Sequence, residues 1–348
     1  AAVFCSTMLL GRRLLLGSLF GQVESGVMRA AMTYLVVTAF SYHFMAAYSS
    51  FCALFRAMGN SKITMRVSLG MNILNVIGNA IAVFALKAGV LGVAVSSLVS
   101  RAAAAFVMLV LLKERKGALY IVPKWIFTWD GRLLRDILSI AVPSAVESGC
   151  FQAVKVVLAG ITATFGTAQI AAHGVASSID NINILVNSAV SLAVPAVVGR
   201  CVGAGDHDQA SYYTKKLCLI AQYGTMVLDG AMYLMLPFIL KLYALSPEAI
   251  YYTRILVLIH TTGSIVLGTV AGPLVTALRA AGDARFTMNV GIAALILGRL
   301  LFSYLFAVKL GFGVIGMWMA MPFHWAINSG AAILRFRSGK WKEKGVAR

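Results

Sequence analysis

Three of the twelve acidic residues, Glu147, Asp180 and Asp229, lie inside stretches that are otherwise apolar, small or neutral, while the other nine fall in loops, a connector or the tail. A carboxylate in such a place can bind a proton, Na⁺ or the cationic group of a larger molecule, each in competition with the others. If the stretch crosses a membrane, the group costs at least ~2.5–3.5 kcal/mol on insertion scales and points to function by default. Glu147 sits one turn after Pro143 and is followed by Gln152 and Lys155. Lys155 is about two turns further along and ~80° around a helix, too far for a direct salt bridge but able to face the same water-filled space, or equally to pair with a carboxylate on a neighbouring helix. The competing role for Glu147 is that of a helix-start glutamate beside the N-terminal dipole. Asp180 is flanked by Asn181 and Asn183, with Asn187 and Ser188 a turn or two later. The oxygens of that band suit Na⁺ or a cationic substrate, and equally an interhelical hydrogen-bond cluster.

The elements that must carry these acids are membrane helices. The chain is 60% apolar and only 12% charged, against roughly a quarter charged in soluble domains. Runs of the ~20 residues that cross a bilayer occur at 31–55, 67–86, 91–112, 137–162, 168–199, 214–236, 255–278, 288–308 and 313–334, which makes nine full spans. A water-soluble core would have to be implausibly large to bury them all. Five scattered cysteines have no paired spacing and read as small apolar residues, and His43, His260 and His324 lack metal-ligand spacing, so core or cavity polar roles are expected of them in place of metal binding. Arg101 and Arg299 also fall within spans, where either can pair with one of the acids.

The net charge of +18 is a topology signal and does not indicate nucleic acid. With loops alternating sides, twenty Lys and Arg fall on one side and seven on the other, which puts the carboxy terminus in the cytoplasm.

A long repeat organises the spans. Arg56-Ala57-Met58-Gly59-Asn60 followed by Thr64-Met65 returns 223 residues later as Arg279-Ala280-Ala281-Gly282-Asp283 followed by Thr287-Met288. Each copy leads through an apolar segment to a second matching turn, Gly89-Val90-Leu91-Gly92 and Gly313-Val314-Ile315-Gly316. Two lobes of one design are expected, running parallel about an axis along the membrane normal. Projected backwards, the same offset predicts that residue 1 lies inside a helix and that about two helices and part of a third precede it in an intact molecule of twelve spans. The expected organisation is 1–112 as the remainder of an N-terminal lobe, 113–136 as a cytoplasmic connector, 137–335 as a C-terminal lobe of six helices and 336–348 as a basic tail. Within the connector, Trp125, Phe127 and Trp129 among Lys124, Arg132 and Arg135 read as an interfacial amphipathic ending.

Arg-Ala-x-Gly-Asn/Asp with Thr-Met in both lobes, the run Val198-Gly199-Arg200-Cys201-Val202-Gly203-Ala204-Gly205-Asp206 before Ala210, and Ile140-Ala141-Val142-Pro143-Ser144-Ala145-Val146-Glu147 together resemble the multidrug and toxic compound extrusion (MATE) family, from the third of its twelve helices onward. The resemblance implies an all-α membrane protein of two six-helix bundles forming a V around a central cavity. It implies an antiporter of the cell (plasma or inner) membrane that expels organic cations against inward H⁺ or Na⁺, and a monomer without cofactor or nucleic-acid partner. The loop motifs, Arg56, Gly59, Gly203, Gly205, Arg279, Gly282 and Asp283, are expected to be structural: the glycines at φ > 0 at helix ends, Asp206 and Asp283 pairing locally with Arg200, Arg279 and Arg285 or capping. Many members carry the acid of the Glu147 helix one turn later, where Phe151 stands here. A subgroup has glutamate at the earlier position with Gln and Lys following, as Gln152 and Lys155 do. The helix bearing Asp229 does not usually line the cavity in the family. Sodium-driven relatives also have an acid in the segment matching 260–278, which contains none, so protons are favoured over Na⁺. Two other readings trail: a flippase for lipid-linked sugars, which needs a basic row to hold pyrophosphate, and an intramembrane enzyme, which needs a nucleophile–base or metal constellation.

Overall fold

A computed structural model describes residues 2–12, 14, 16, 17, 25–113 and 130–344, and every regular element among them is helical. The connector aromatics Trp125, Phe127 and Trp129, and residues 345–348 of the tail, lie outside the described residues. The chain forms two compact units, 1–129 and 130–348.

The first unit contains α1 (Ala2–Leu10), α2 (Ser25–Ala57), α3 (Ser61–Ala80) and α4 (Gly89–Lys113). On α2, Tyr48, Cys52 and Phe55 recur at helical spacing and pack on Ala104, Ala105, Met108 and Leu112 of α4. Small alanines let the two backbones approach, which is how helices associate where lipid removes the hydrophobic drive. Polar ties cross the same unit: Asn75 donates to Ser97 at 3.1 Å, and Arg101 donates to the buried Ser41 hydroxyl at 2.5 Å. Arg101, read as a partner for a span acid, is therefore satisfied by a hydroxyl of its own unit.

The second unit contains α5 (Gly131–Thr162), α6 (Thr167–Asn183), α7 (Leu185–Gly203), α8 (His207–Leu242), α9 (Pro247–Gly263), α10 (Thr269–Ala280), α11 (Ala284–Ala293) and α12 (Gly313–Arg337). A π turn, Ser264–Gly268, joins α9 to α10, and two more, Ala294–Leu301 and Tyr304–Lys309, extend α11. One residue, Ile184, interrupts α6 and α7. Asp130 starts α5, its carboxylate accepting from the amides of Arg132 and Leu133, so residues 131–136 are the first turns of a long helix. Leu256 and Val257 of α9 pack with Ala172, Val175, Ala176 and Ile179 of α6 and with Trp318 of α12 in one core. Val194 and Val198 of α7 pack with Leu274, Val275 and Leu278 of α10 in a second.

Among the described residues, eight continuous helical stretches are long and apolar enough to cross a membrane. The ninth expected span, 313–334, is helix α12, made less apolar by His324, Asn328 and two terminal arginines. Large apolar side chains line the outside, as on α8, where Tyr223, Val227 and Leu234 are 65%, 74% and 77% exposed. Such a surface belongs in lipid.

The sequence repeat is a repeat of backbone geometry. Gly59 and Gly282 adopt φ of 81° and 90°. Gly59 and Asn60 donate back to Arg56 and Phe55, as Gly282 and Asp283 donate back to Arg279 and Leu278. This paired closure ends a helix on a left-handed residue, where glycine escapes the Cβ clash. The turn after α7 is a third copy, with Gly205 at φ 77°. Gly203, also expected at φ > 0, is instead the last residue of α7.

Candidate functional site

Glu147 lies more than four turns inside α5, so the helix-start role does not apply to it. Its Oε2 accepts from Arg279 Nη2 at 2.5 Å. Arg279 ends α10 and donates through Nε to Thr287 of α11 at 3.2 Å, so one guanidinium bridges α10, α11 and α5. Gly291 of α11 makes room for the acid, since a Cβ there would stand 2.5 Å from Glu147 Oε1. The pair is partly sheltered, with 16% of the Glu147 side chain and 25% of the Arg279 side chain exposed. Arg279 was read as a structural element of a loop. The structure makes it the partner of the leading acid, and Glu147 joins the two features the sequence treated separately.

Asp180, at the end of α6, has Oδ1 2.6 Å from Nε2 of His260 on α9. His260 is 3% exposed, and its ring meets Trp325 edge-on at 5.3 Å and Trp318 at 6.1 Å. A neighbouring tie runs from Trp318 Nε1 to His173 Nδ1 at 3.0 Å. Asp229 of α8 is fully buried, within electrostatic reach of Ser264, His260 and Asp180. Arg299 lies within the same reach of Asp180. The polar centre thus draws on α6, α8, α9 and the π turn after α9, where the backbone is already irregular, as is frequent at functional sites. Among the described residues no three His, Cys, Asp or Glu side chains converge as a metal ion would require.

The remaining candidates disperse. Asn183 is buried, Asn181 is exposed and Asn187 packs on Gly272 of α10, so the asparagines do not form one ligand shell. Gln152 and Lys155 are exposed on the unit's surface, and the Lys155 ammonium lies 5.2 Å over the Phe151 ring. Asp206 caps α8, accepting from the Gln209 amide at 2.9 Å. Asp283 does not pair within its loop: its Oδ2 meets Arg335 Nε of α12 at 2.6 Å. His260, singled out as a core or cavity polar residue, is found buried on Asp180, while Gly291 and Arg335 went unremarked as partners because each acts across a separation that no local pattern encodes. The only advance signal was that a carboxylate in an apolar stretch needs a basic partner.

The MatE family profile matches residues 1–81 and 143–305. The chain is 27% identical over 340 residues to the uncharacterized transporter YisQ of Bacillus subtilis, a match that covers 93% of this chain and 72% of that protein. It is 22% identical over 339 residues to the probable multidrug resistance protein NorM of Thermotoga maritima, covering 94% and 71% respectively. Among solved structures, an outward-facing multidrug resistance MATE family transporter superposes with a TM-score of 0.87 at 18% identity, over 99% of this chain and 76% of that one. A MATE crystallised with MaL6 superposes with a TM-score of 0.86 at 19% identity, again over 99% and 76%. At those identities the likeness establishes the fold, while the profile match covers well over half of the chain. With eight spanning helical stretches among its described residues, a doubled turn motif and a profile match of that extent, the chain belongs to the MatE family, whose members are membrane transporters and not enzymes.

Proposed function

We propose that this transporter is a secondary antiporter that expels amphipathic organic cations in exchange for protons or Na⁺, and that Glu147 is the group at which the two cations compete. The observation that carries the reading is the Glu147–Arg279 pair, a carboxylate held on a base from another helix within apolar spans. A proton or Na⁺ arriving at Glu147 neutralises the charge that otherwise holds Arg279, so the tie between α5 and the end of α10 weakens. The loaded and unloaded carboxylate then favour different packings of the same helices, the differential affinity that a conformational step needs. Asp180 on His260 repeats this logic beside the break at Ile184 and the π turn Ser264–Gly268. With no acid in residues 260–278, a proton is the better supported coupling ion. The multidrug resistance descriptions of relatives such as the Thermotoga protein support a drug-like cation as cargo. The charge bias of the loops supports a multi-pass protein of the cell membrane with its carboxy terminus in the cytoplasm.

The test is the full-length protein in proteoliposomes under an imposed pH or Na⁺ gradient, with ethidium followed by fluorescence. Gradient-dependent export is expected, faster with the pH gradient than with Na⁺. Ethidium movement that ignores both gradients would overturn the antiport reading.

A further inference from the structure

Between α8, α10 and α12 lies a groove of about 760 Å³ that no part of the transport reading uses. Its lining is mostly apolar, with Leu219, Leu274 and Phe336 beside the polar Thr214 and Gln222, and includes three cations, Lys215, Arg337 and Lys342. The third cation is placed by a built turn. Gly339 takes φ 71°, which folds the chain back after α12 so that Trp341 stacks on Phe336 with ring centroids 5.4 Å apart and planes 3° from parallel. The Trp341 indole donates to the Phe336 carbonyl at 3.1 Å and is 2% exposed, which carries the next residue, Lys342, to the groove. Its one acidic contact there, Asp208 at 3.4 Å, is fully solvated and so weak. Leu219, 54% exposed, also opens the apolar stripe that Tyr223 and Val227 continue along the outside of α8.

A groove lined by three cations and by apolar side chains, opening onto a lipid-facing stripe at the end of a bundle, matches a molecule with an anionic head and hydrocarbon chains. We propose that this groove holds one anionic phospholipid, its phosphate at Lys215, Arg337 and Lys342 and an acyl chain along Leu219, Tyr223 and Val227. The volume falls within the range of roughly 300–1,000 Å³ typical of ligand sites, and basic pockets between spanning helices on the cytoplasmic side bind phospholipid head groups on the same electrostatic grounds. The apolar walls favour a lipid over soluble phosphate. The inference does not rest on the coupling role of Glu147, since neither Glu147 nor Arg279 lines the groove.

The test is native mass spectrometry of the full-length protein with equimolar dioleoyl phosphatidylglycerol and dioleoyl phosphatidylcholine, with and without inorganic phosphate. The wild type is expected to retain one phosphatidylglycerol about tenfold over phosphatidylcholine, a preference that phosphate does not displace. Combined Lys215→Ala, Arg337→Ala and Lys342→Ala substitutions should erase that preference, each cation being worth about fivefold near an anionic surface. Lys241→Ala, which removes one charge from the other end of α8, should leave it intact. If the triple variant fails to fold by circular dichroism, Lys215→Ala and Arg337→Ala are read singly, each with a partial loss expected. Equal retention of the two lipids, an unchanged preference in the substituted protein, or displacement by phosphate would overturn the assignment.

Discussion

At the scale of single residues, the proposed coupling rests on carboxylates whose partners come from other helices. Glu147 and Arg279 are 2.5 Å apart and only partly exposed, so removing one partner leaves the other charge poorly solvated. Arg279→Ala is therefore expected to destabilise the protein by roughly 1–3 kcal/mol, read as a lower thermal midpoint in detergent. The double change Glu147→Gln with Arg279→Gln should cost less than the sum of the two single changes. Strict additivity would show that the pair contributes nothing. The Asp180–His260 contact calls for the same cycle with Asp180→Asn and His260→Ala, with a coupling of about 1 kcal/mol expected. Both acids stood out in the sequence because a charge in an apolar run is costly. Their partners did not, since Arg279 follows Glu147 by 132 residues and no helical period relates them. Arg279 was hidden further by its place in a turn motif that has a sufficient structural purpose of its own.

At the scale of elements, the turns and close approaches set where those residues stand. Gly203 and Gly205 are two residues apart, and a Cβ on either would meet nothing within 4 Å. They differ in backbone, for Gly203 is helical while Gly205 takes φ 77°. Gly205→Ala should cost about 1–2 kcal/mol, whereas Gly203→Ala should be neutral or stabilising by up to about 1 kcal/mol. Thermal melts of the two variants separate these outcomes, and equal shifts would contradict the assigned geometry. At Gly316 the limit is space, since a Cβ would come within 2.5 Å of the Phe306 backbone carbonyl carbon. Gly316→Ala should therefore destabilise by about 1–3 kcal/mol. Helix positions were readable because a bilayer demands long apolar runs, and the glycine turns because only glycine fits them. The π turns were not readable, since Ser264–Gly268 and Ala294–Leu301 lie within long apolar runs and carry no local signal that separates them from an α-helix. Gly203 was misread because its neighbour Gly205 already supplies the left-handed residue.

At the scale of the whole molecule, the doubled turns at Gly59 and Gly282 show that the repeat is one of structure, and the loop charges support the proposed orientation of the chain. A fluorescent protein fused after Arg348 should mature in the cytoplasm, while alkaline phosphatase fused at the same point should stay inactive. The reverse pattern would invert the topology. Family membership, the spans and the repeat were visible in composition and motif, because membrane solvation constrains a whole chain at once. The proposed cargo and coupling rest on a few contacts that only folding assembles. The most direct test of the central claim is ethidium export by full-length protein under a pH gradient, compared between wild type and Glu147→Gln. Loss of at least about tenfold in gradient-driven rate is expected, together with weaker ethidium binding, since the substitution removes the charge at which ethidium and the coupling ion compete. Export by Glu147→Gln at the wild-type rate, with the same dependence on the gradient, would contradict it.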